Sequence, residues 1–171
     1  MVFQGKKILL RSVQPSDADV LYKWENDRSN WQVSETKKPF TKKEIKTFIA
    51  NQNDIYLDKQ LRLMICITPP RLLERGSGGE VGCIDLFDFN EPKLKAGIGI
   101  LIEKKYRKKG YASDALSLLI TYSFEILYLK ELRCSISEEN EASIKLFQKH
   151  KFKVFQKKKE MNFLRLLNNS H

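Results

Sequence analysis

The sequence predicts a mixed α/β fold with helices on both faces of one sheet, and three observations support this prediction. Short apolar segments of strand length alternate with longer segments whose apolar residues recur at helical spacing. The order along the chain is βααβββαβαββ, with strands before, between and after the helices. The 171 residues, 42% hydrophobic and 30% charged, have an ordinary globular composition. We therefore expect one domain over residues 1–171.

The first two predicted elements are a strand and a helix. Residues 6–13, KKILLRSV, have the apolar centre of a short strand. Residues 14–27 follow, and Ser16 or Asp17 can cap a helix there, because a short polar side chain accepts from the amides of a first turn. The apolar residues on one side of this helix are Ala18, Leu21, Tyr22 and Trp24.

A second helix and a second strand follow. Thr41 and Glu44 have the spacing of a capping box at the start of residues 41–52. The apolar stripe behind this box consists of Ile45, Phe48 and Ile49. Residues 61–68, LRLMICIT, have the pattern of a strand, and Pro69-Pro70 ends it because proline cannot donate to a sheet.

The middle of the chain predicts two more strands and a long helix. The strands are EVGCIDLFDF and LKAGIGILI, residues 80–89 and 94–102, and NEPK forms the turn between them. The second strand is apolar almost throughout, which indicates a central position in the sheet. A long helix then extends from about Gly110 to Leu129.

The last elements are a strand, a helix and two short strands. Residues 131–137, ELRCSIS, form the strand, and residues 139–150 form the helix, with Asn140 as its N-cap. The apolar residues of this helix are Ala142, Ile144, Leu146 and Phe147. Residues 152–156 and 162–167 close the chain as strands.

Cysteine and histidine usage argues against a metal site. Cys66, Cys83 and Cys134 lie far apart in apolar stretches, no CxxC occurs, and the two histidines are distant from the first two cysteines. Such cysteines are expected to be reduced core residues, which fits the cytosol. No apolar run approaches the roughly 18 residues of a membrane helix, and the N-terminus lacks a signal-peptide pattern. We expect a cytoplasmic protein with neither a metal nor a membrane span.

Positive charge is concentrated in the second part of the chain. The net charge is +10, and residues 101–171 carry 15 basic against 8 acidic residues, whereas residues 1–100 carry 16 against 13. This bias suggests an anionic partner: nucleic acid, an anionic surface or a phosphate-bearing cofactor. A lysine-rich solvated surface is the simpler alternative.

The loop EKKYRKKGYA, residues 103–112, joins the apolar strand to the long helix. A helix start stabilises an anion through its unpaired N–H groups and its dipole. Gly110 lets the backbone come close to a phosphate, and Arg107, Lys108 and Lys109 add a positive field. Neither GxxxxGK[ST] nor GxGxxG occurs. The residues favour a pyrophosphate site, with a charged loop and a turn glycine as the alternative.

Three segments resemble a known family. Residues 107–112, RKKGYA, match the pattern [Q/R]-x-x-G-x-[G/A] of the GNAT superfamily of N-acyltransferases, in that family's position before the long helix. Residues 137–152, SEENEASIKLFQKHKF, resemble its second acyl-CoA segment. Residues 9–27 resemble the start of the branch that contains ribosomal-protein and polyamine (spermidine) acetyltransferases. The resemblance covers nearly the whole chain and implies a GNAT-like, mostly antiparallel central sheet.

The resemblance also implies how acetyl-CoA is bound. The pantetheine arm lies beside strand residues 98–102 like an extra strand, the pyrophosphate lies over residues 107–112, and the acetyl group lies where two central strands splay apart. The segment around Asn140 faces the same channel. The residues expected to bind the cofactor are Ile100, Leu101, Ile102, Arg107, Lys108, Lys109, Gly110, Tyr111, Ala112, Ser113, Asn140, Ser143, Ile144 and Phe147.

The implied reaction is direct attack of an amine on a thioester, which needs positioning, an oxyanion donor and a base. A backbone N–H around Leu101 or Ile102 is the expected oxyanion donor. Asp85, which interrupts an apolar strand, is the first candidate base, and Glu25 at the end of the first helix is the second. Both also fit solvent-exposed positions without a role in the reaction.

The chain departs from the family pattern at three positions. Phe147 replaces the tyrosine that many members use as general acid, Lys151 replaces a glycine, and Gly97 replaces a frequent acidic residue. Tyr111, Tyr122 or water are the alternatives for the acid. A thiolate with a pKa of about 8.5 can also leave without full protonation.

The less basic part of the chain predicts a cationic acceptor, such as a polyamine or a protein N-terminal amine. The acidic residues that would attract it are Glu25, Asp27, Glu35, Asp85, Asp88 and Glu91. Trp24 and Trp31 are candidates for the walls of its pocket.

The leading interpretation is an acetyl-CoA-dependent N-acetyltransferase. Two alternatives stay open. Phe147 favours a catalytically idle acyl-CoA-binding domain, and the basic second part of the chain favours a nucleic-acid-binding module. The lack of spaced aromatic and glycine residues argues against the second alternative. A homodimer is common among relatives, but no interface can be identified in the sequence.

Overall fold

Eight strands form one sheet in the computed structural model, which describes residues 1–30, 38–52, 54–67 and 79–168. The strands are β1 Val2–Gln4, β2 Ile8–Ser12, β3 Leu61–Ile67, β4 Glu80–Asn90, β5 Lys95–Ile102, β6 Glu131–Ser137, β7 Lys153–Lys158 and β8 Met161–Leu167. Their spatial order is β1-β2-β3-β4-β5-β6-β8-β7. Only β5 and β6 pair in parallel. The predicted mixed α/β class is confirmed, and β5 is central as expected.

The helices connect these strands in nearly the predicted order. They are α1 Ala18–Asn26, α2 Lys42–Ala50, α3 Ile55–Asp58, α4 Tyr111–Thr121 and α5 Glu141–Lys149. The sequence pattern missed β1 and α3, because three or four residues are too few to show a periodicity. Within the described ranges, no helix is long and apolar enough to cross a membrane.

The two faces of the sheet carry different helices. On one face, Leu116 and Leu119 of α4 pack against Ile84 and Ile98 of the sheet. On the other face, α1 and α2 cover β3 and β4, where Met64 is buried. Side chains alternate along a strand, so β3 and β4 supply both cores. The prediction of helices on both faces is confirmed.

The three cysteines are buried, as the sequence predicts. Burial raises the pKa of Cys66 to about 11, and that of Cys83 to about 12. It also raises the pKa of Cys134 to about 12. The thiols are therefore protonated and unreactive near neutral pH.

The start of α1 differs from the prediction. Neither Ser16 nor Asp17 caps α1 with its side chain. The buried Asp17 carboxylate accepts instead from the amide of Gln14 and from both terminal nitrogens of Arg11, each at 2.7 Å. Arg11 also binds Glu80 of β4 at 2.8 Å. Asp17 therefore fixes the chain entering α1 to the sheet.

The long helix is shorter than predicted. Regular α-helix ends at Thr121, and a π-helical turn, Tyr122–Ile126, follows. The buried Ser123 hydroxyl donates to the carbonyl of Leu119 at 2.7 Å. Such back-bonding by serine competes with the regular helical pattern.

The pairing of β5 with β6 is brief. It extends from Lys95 opposite Glu131 to Gly97 opposite Arg133, and both strands continue beyond it without pairing to each other. A side chain at Gly97 would overlap with the ring of Phe87 on β4, so glycine is needed at this position. The separation of the two strands opens a gap in the middle of the sheet.

The predicted capping box of α2 is present, and its removal tests how much it stabilises the fold. The Thr41 hydroxyl accepts from the Glu44 amide at 3.1 Å, and the Glu44 carboxylate accepts from the Thr41 amide at 2.7 Å. Thr41→Ala should lower the free energy of unfolding by about 1 kcal/mol. Thr47→Ala, at an exposed interior position of the same helix, is the control and should leave stability unchanged or slightly higher. Urea titration measures both, and equal effects would contradict a role for the cap.

Candidate active site

A cavity of about 1320 Å³ lies where β5 and β6 separate. It is lined by the end of β5, the loop after it and the first turns of α4 and α5. The lining includes most residues predicted to bind the cofactor: Ile100, Leu101, Ile102, Arg107, Lys108, Gly110, Tyr111, Ala112, Ser113, Asn140 and Ser143. Lys109, Ile144 and Phe147 were predicted as well and are not part of this lining. The fold thus brings two distant segments of sequence together around one space.

The loop before α4 has the backbone shape expected of an anion site. Gly110 is the N-cap of α4 with φ +85°, and Lys108 is also left-handed with φ +63°. The Asp114 amide makes the first helical bond, to the Gly110 carbonyl at 3.1 Å. The preceding amides, residues 111–113, have no intrahelical partner, so they can bind a phosphate. Backbone and charge together fit a pyrophosphate.

Two contacts that the sequence did not indicate hold this loop in place. The Asp114 carboxylate accepts from the amides of Lys7 and Ile8 at 2.6 and 3.2 Å. The Lys7 ammonium donates to the Lys109 carbonyl at 3.1 Å. More than 100 residues separate the partners, so no local pattern could reveal them.

Arg107 links the end of β5 to the end of α1. Its Nε donates to the Ile102 carbonyl at 2.9 Å, and a terminal nitrogen donates to the Asn30 side chain at 3.4 Å. Asn30 is buried and donates to the Trp24 carbonyl at 3.1 Å. Arg107 therefore organises the protein around the cavity in addition to placing positive charge there.

The strand geometry contradicts Leu101 as the oxyanion donor. The Glu103 amide donates to the Val81 carbonyl of β4 at 2.8 Å. Amide directions alternate along a strand, so the amide of Leu101, opposite Cys83, also points towards β4 and belongs to the ladder. The amides of Ile100 and Ile102 point away from β4, towards the gap, so Ile102 stays a candidate and Ile100 joins it.

The two candidate bases, chosen separately from the sequence, bind the same side chain. Arg62 of β3 donates to both carboxylate oxygens of Asp85, at 2.7 and 2.8 Å, and its other terminal nitrogen donates to Glu25. The guanidinium also lies over the ring of Phe48, 4.9 Å from its centre. The Asp85 and Glu25 side chains are only 17% and 15% exposed, so neither is an ordinary solvated surface group.

This cluster carries more negative than positive charge. Burial alone would lower the pKa of Arg62, but the charges of Asp85 and Glu25 reverse the effect and raise it well above its ordinary value. One permanent cation is thus shared between two carboxylates. Asp85 lies opposite Gly99 of β5, where an added Cβ would meet only the Phe87 ring, at 3.6 Å. The surface over Gly99 therefore has room for at least a methyl-sized group in contact with the Phe87 ring.

The family is established by a sequence model. The model described as an acetyltransferase (GNAT) domain matches residues 7–153. The chain belongs to the GNAT acetyltransferase family. The N-acetyltransferase domain that the sequence predicts is therefore present.

Individual relatives agree with this assignment. The chain is 36% identical over 75 residues to the alpha/beta-tubulin-N-acetyltransferase 9 of Mus musculus, a match over 43% of this chain and 31% of that protein. It is 27% identical over 149 residues to the uncharacterized N-acetyltransferase p20 of Bacillus licheniformis, covering 86% of this chain and 79% of that one. The chain thus spans about a third of the mouse relative.

A solved structure shows the same fold. The spermidine N-acetyltransferase from Vibrio cholerae, in complex with CoA and spermine, superposes with a TM-score of 0.79 at 17% identity, over 94% of this chain and 95% of that one. At this identity the likeness concerns the fold alone.

Phe147 does not face the channel, contrary to the prediction from the GNAT pattern. It is 3% exposed, and its ring packs edge-on against Phe152 with centroids 5.0 Å apart. Lys151, in place of the family's glycine, nevertheless adopts φ +67°. The Phe152 amide donates to the Phe147 carbonyl at 3.1 Å, a bond that commonly closes the end of a helix. The glycine is therefore not needed for this turn.

The tyrosines considered as general acid lie at opposite ends of α4. Tyr111 lines the cavity. Tyr122 follows eleven residues later, roughly 16 Å along the helix axis, and is buried with its ring 5.1 Å from that of Phe3. Tyr122 is therefore no candidate. Tyr106, which the sequence analysis did not single out, also lines the cavity.

Several other lining residues were missed. They are Ser29, Asn30, Ser137, Glu139, Ala142, Leu146, Lys159, Glu160 and Met161. Lys159 and Glu160 form the turn between β7 and β8, and Met161 begins β8; nothing in their local sequence indicates a position at this cavity. Trp31 and Glu35 lie outside the described residues. Among the described residues, no group of three or more His, Cys, Asp or Glu side chains is placed to hold a metal ion.

The acidic residues expected to attract a cationic acceptor do not form one patch. Asp85 and Glu25 bind Arg62. Asp27 accepts from the amide and hydroxyl of Ser29 at 2.9 and 2.7 Å. Asp88 and Glu91 lie around the turn at the far end of β4.

Gly110→Ala tests the backbone shape of the loop. A methyl group at φ +85° is strained, and the left-handed conformation costs a residue with a Cβ roughly 1–2 kcal/mol. We expect the free energy of unfolding to fall by that amount. Gly99→Ala is the control, because its φ is not left-handed and its nearest neighbour is 3.6 Å away. Equal thermal stabilities of the two variants would contradict the assignment.

His150 gives the fold a dependence on pH. Its Nε2 lies 2.8 Å from the Ser113 hydroxyl, and burial, with the nearby charge of Lys149, lowers its pKa. The unfolded chain therefore binds a proton more readily. The stabilisation by neutral His150 is present above about pH 6.5 and is lost as the pH falls through the lowered pKa.

The measurement compares the free energy of unfolding of the wild type and His150→Gln between pH 7.5 and 5. We expect the difference between the two proteins to shrink as the pH falls. Parallel curves would show that His150 does not titrate differently in the folded state.

Proposed function

We propose that this protein transfers the acetyl group of acetyl-CoA to a primary amine by direct attack on the thioester. The observation that carries the proposal is the continuous cavity from the α4 amides to the gap between β5 and β6, one strand away from Asp85. The acceptor is a polyamine-like small amine or a protein N-terminal amine, as in the branch of ribosomal-protein and spermidine acetyltransferases. A cytoplasmic location, a single domain and a homodimer stay predictions.

The residues around the cavity fit acetyl-CoA, which supplies an activated acetyl group when bound. The amides of residues 111–113, with Gly110 and Lys108, suit the pyrophosphate. The gap-facing amides of Ile100 and Ile102 suit the pantetheine arm and the developing oxyanion. These assignments use backbone groups, so they do not depend on the identity of most side chains.

The amine must lose a proton before it attacks, because an aliphatic ammonium has a pKa of about 10.4 and an α-amine about 7.7–8.0. Asp85 stays the first candidate for the base, since it lies opposite Gly99 in the register of β4 and β5. Glu25 is second, and the shared Arg62 orients both carboxylates. Tyr111 or water protonates the leaving thiolate.

A catalytically idle acyl-CoA-binding domain is the second candidate. Phe147, packed against Phe152, can supply no proton from the position that the family commonly uses. The basic nucleic-acid-binding module is not proposed further, because the basic loop surrounds the cofactor cavity.

Measurements of cofactor binding show whether the loop binds phosphate through its backbone amides or through its charged side chains. Acetyl-CoA should raise the Tm of the wild type, and Gly110→Glu should abolish the shift by placing a carboxylate in the phosphate site. Lys108→Ala and Lys109→Ala should weaken binding only a few-fold, as expected for exposed charges. If the lysine variants weaken acetyl-CoA binding more than Gly110→Glu does, the side-chain charges rather than the backbone amides bind the phosphates.

Release of CoA thiol with a panel of amines then tests turnover. Acetyl-CoA binding without amine-dependent thiol release would favour the idle domain, and no Tm shift at millimolar acetyl-CoA would remove both candidates. The protein's own buried cysteines should react slowly with a thiol reagent, so the signal reports CoA.

A further inference from the structure

A second cavity, of about 400 Å³, adjoins the point where β5 and β6 stop pairing. Phe87, Gly97 and Arg133 line it, and the register places these three side by side across β4, β5 and β6. Asp85 is two residues from Phe87 on the same strand, so both side chains lie on the same face of the sheet. The second cavity therefore lies on the face where the acceptor amine is expected, beside Gly99.

The cavity is lined by aromatic rings, by the cations Lys95 and Arg133, and by one carboxylate, Asp88. Further cations lie beside this lining. Arg133, Arg165 and Lys153 are opposite one another in the register of β6, β8 and β7. The two guanidiniums lie over the ring of Phe155, 5.4 and 5.1 Å from its centre. Glu131 binds Arg133 through two bonds of 2.9 Å and lies 4.0 Å from Arg165. The guanidiniums remain 42% and 44% exposed, so they can bind a further anion.

The surrounding hairpin strengthens the positive field. Residues 149–165 contain seven lysines and arginines and one glutamate. All six residues of β7 are exposed, and Lys159 of the turn lines the large cavity. The entrance on this side is therefore strongly basic.

We propose that the second cavity binds acidic side chains that follow the reactive amine of the acceptor. The acceptor class is then the N-terminal amine of an acidic polypeptide segment, not a polyamine. The inference rests on the proposed function and narrows its acceptor. Four cations in and beside the cavity outnumber two carboxylates, so an incoming carboxylate is favoured here over a polycation. The cations are Lys95, Arg133, Lys153 and Arg165, and the carboxylates are Asp88 and Glu131.

The spacing fits an extended peptide. Paired strands lie about 4.8 Å apart, so Arg165 of β8 is roughly 10 Å from Gly97 of β5, and Gly99 lies about 7 Å further along β5. An extended chain advances about 3.3 Å per residue. An amine over Gly99 therefore places the side chains of about the second to fourth residues at the second cavity. Asp85 and Glu25 share the cation Arg62, which offsets one of their two negative charges and weakens their attraction for a polyamine.

The experiment compares acetylation of peptides that differ only at residues 2–4. These residues are three glutamates, three glutamines or three lysines behind a common N-terminal serine, and spermidine is the fourth acceptor. We expect kcat/KM to be about tenfold higher for the glutamate peptide than for the glutamine peptide, mainly through KM, because a field of this kind raises the local concentration of anions. The lysine peptide and spermidine should be poorest.

Removing positive charge beside the second cavity tests whether the acidic residues of the acceptor bind there. The double variant Lys153→Gln/Arg165→Gln should bring the glutamate-to-glutamine ratio close to one. The control Lys43→Gln/Lys145→Gln removes the same charge at exposed positions of α2 and α5 and should keep the ratio. Equal or better use of spermidine, or a ratio that Lys153→Gln/Arg165→Gln does not change, overturns the inference.

Binding of the fluorescently labelled glutamate peptide is measured by anisotropy. It distinguishes failure of the proposed acetyltransferase function from failure of the proposed site for acidic residues. If no amine is acetylated, the proposed function falls. Salt-sensitive binding that Lys153→Gln/Arg165→Gln weakens about tenfold would still support the anionic site, and absence of binding would overturn it.

Discussion

The separation of β5 from β6 is the feature on which the rest of this structure depends. The two strands pair only from Lys95 to Gly97 on β5, and beyond that point one edge of β5 faces a cavity. Backbone groups at a buried edge need partners. Arg107 satisfies the Ile102 carbonyl, and the gap-facing amides of Ile100 and Ile102 can bind a ligand. The gap thus leaves both a cavity and unpaired backbone donors, the two features on which the proposed cofactor site rests.

Glycines on β5 determine what can approach from the other face. The ring of Phe87 fills the space beside Gly97, and Gly99 leaves an opening next to Asp85. In the proposed function, β5 would present its gap-facing amides to the thioester and the surface over Gly99 to the amine. Larger side chains at Gly97 and Gly99 would fill the space on this face beside the Phe87 ring.

Three clusters of charged or polar groups lie around β5. The α4 amides and the basic loop are the proposed anion site. Arg62 of β3 holds two carboxylates, and Arg133 with Arg165 forms a second cationic cluster on β6 and β8. Because Arg62 orients Asp85 and Glu25 through hydrogen bonds, the site keeps its carboxylates in place at a half-buried position. The sequence shows one weakly and one strongly basic part, whereas in the fold clusters of both signs lie next to one another across the sheet.

The sequence by itself determined the local features. The Thr41–Glu44 box, the Asn140 cap and the Gly110 turn depend on residues within a few positions of each other, and most of the predicted cofactor segment lines one cavity. Tertiary structure alone decided the direction of the Leu101 amide, the burial of Phe147 and the sharing of Arg62. Those follow from strand register and from contacts between residues far apart in the chain, which no local pattern specifies.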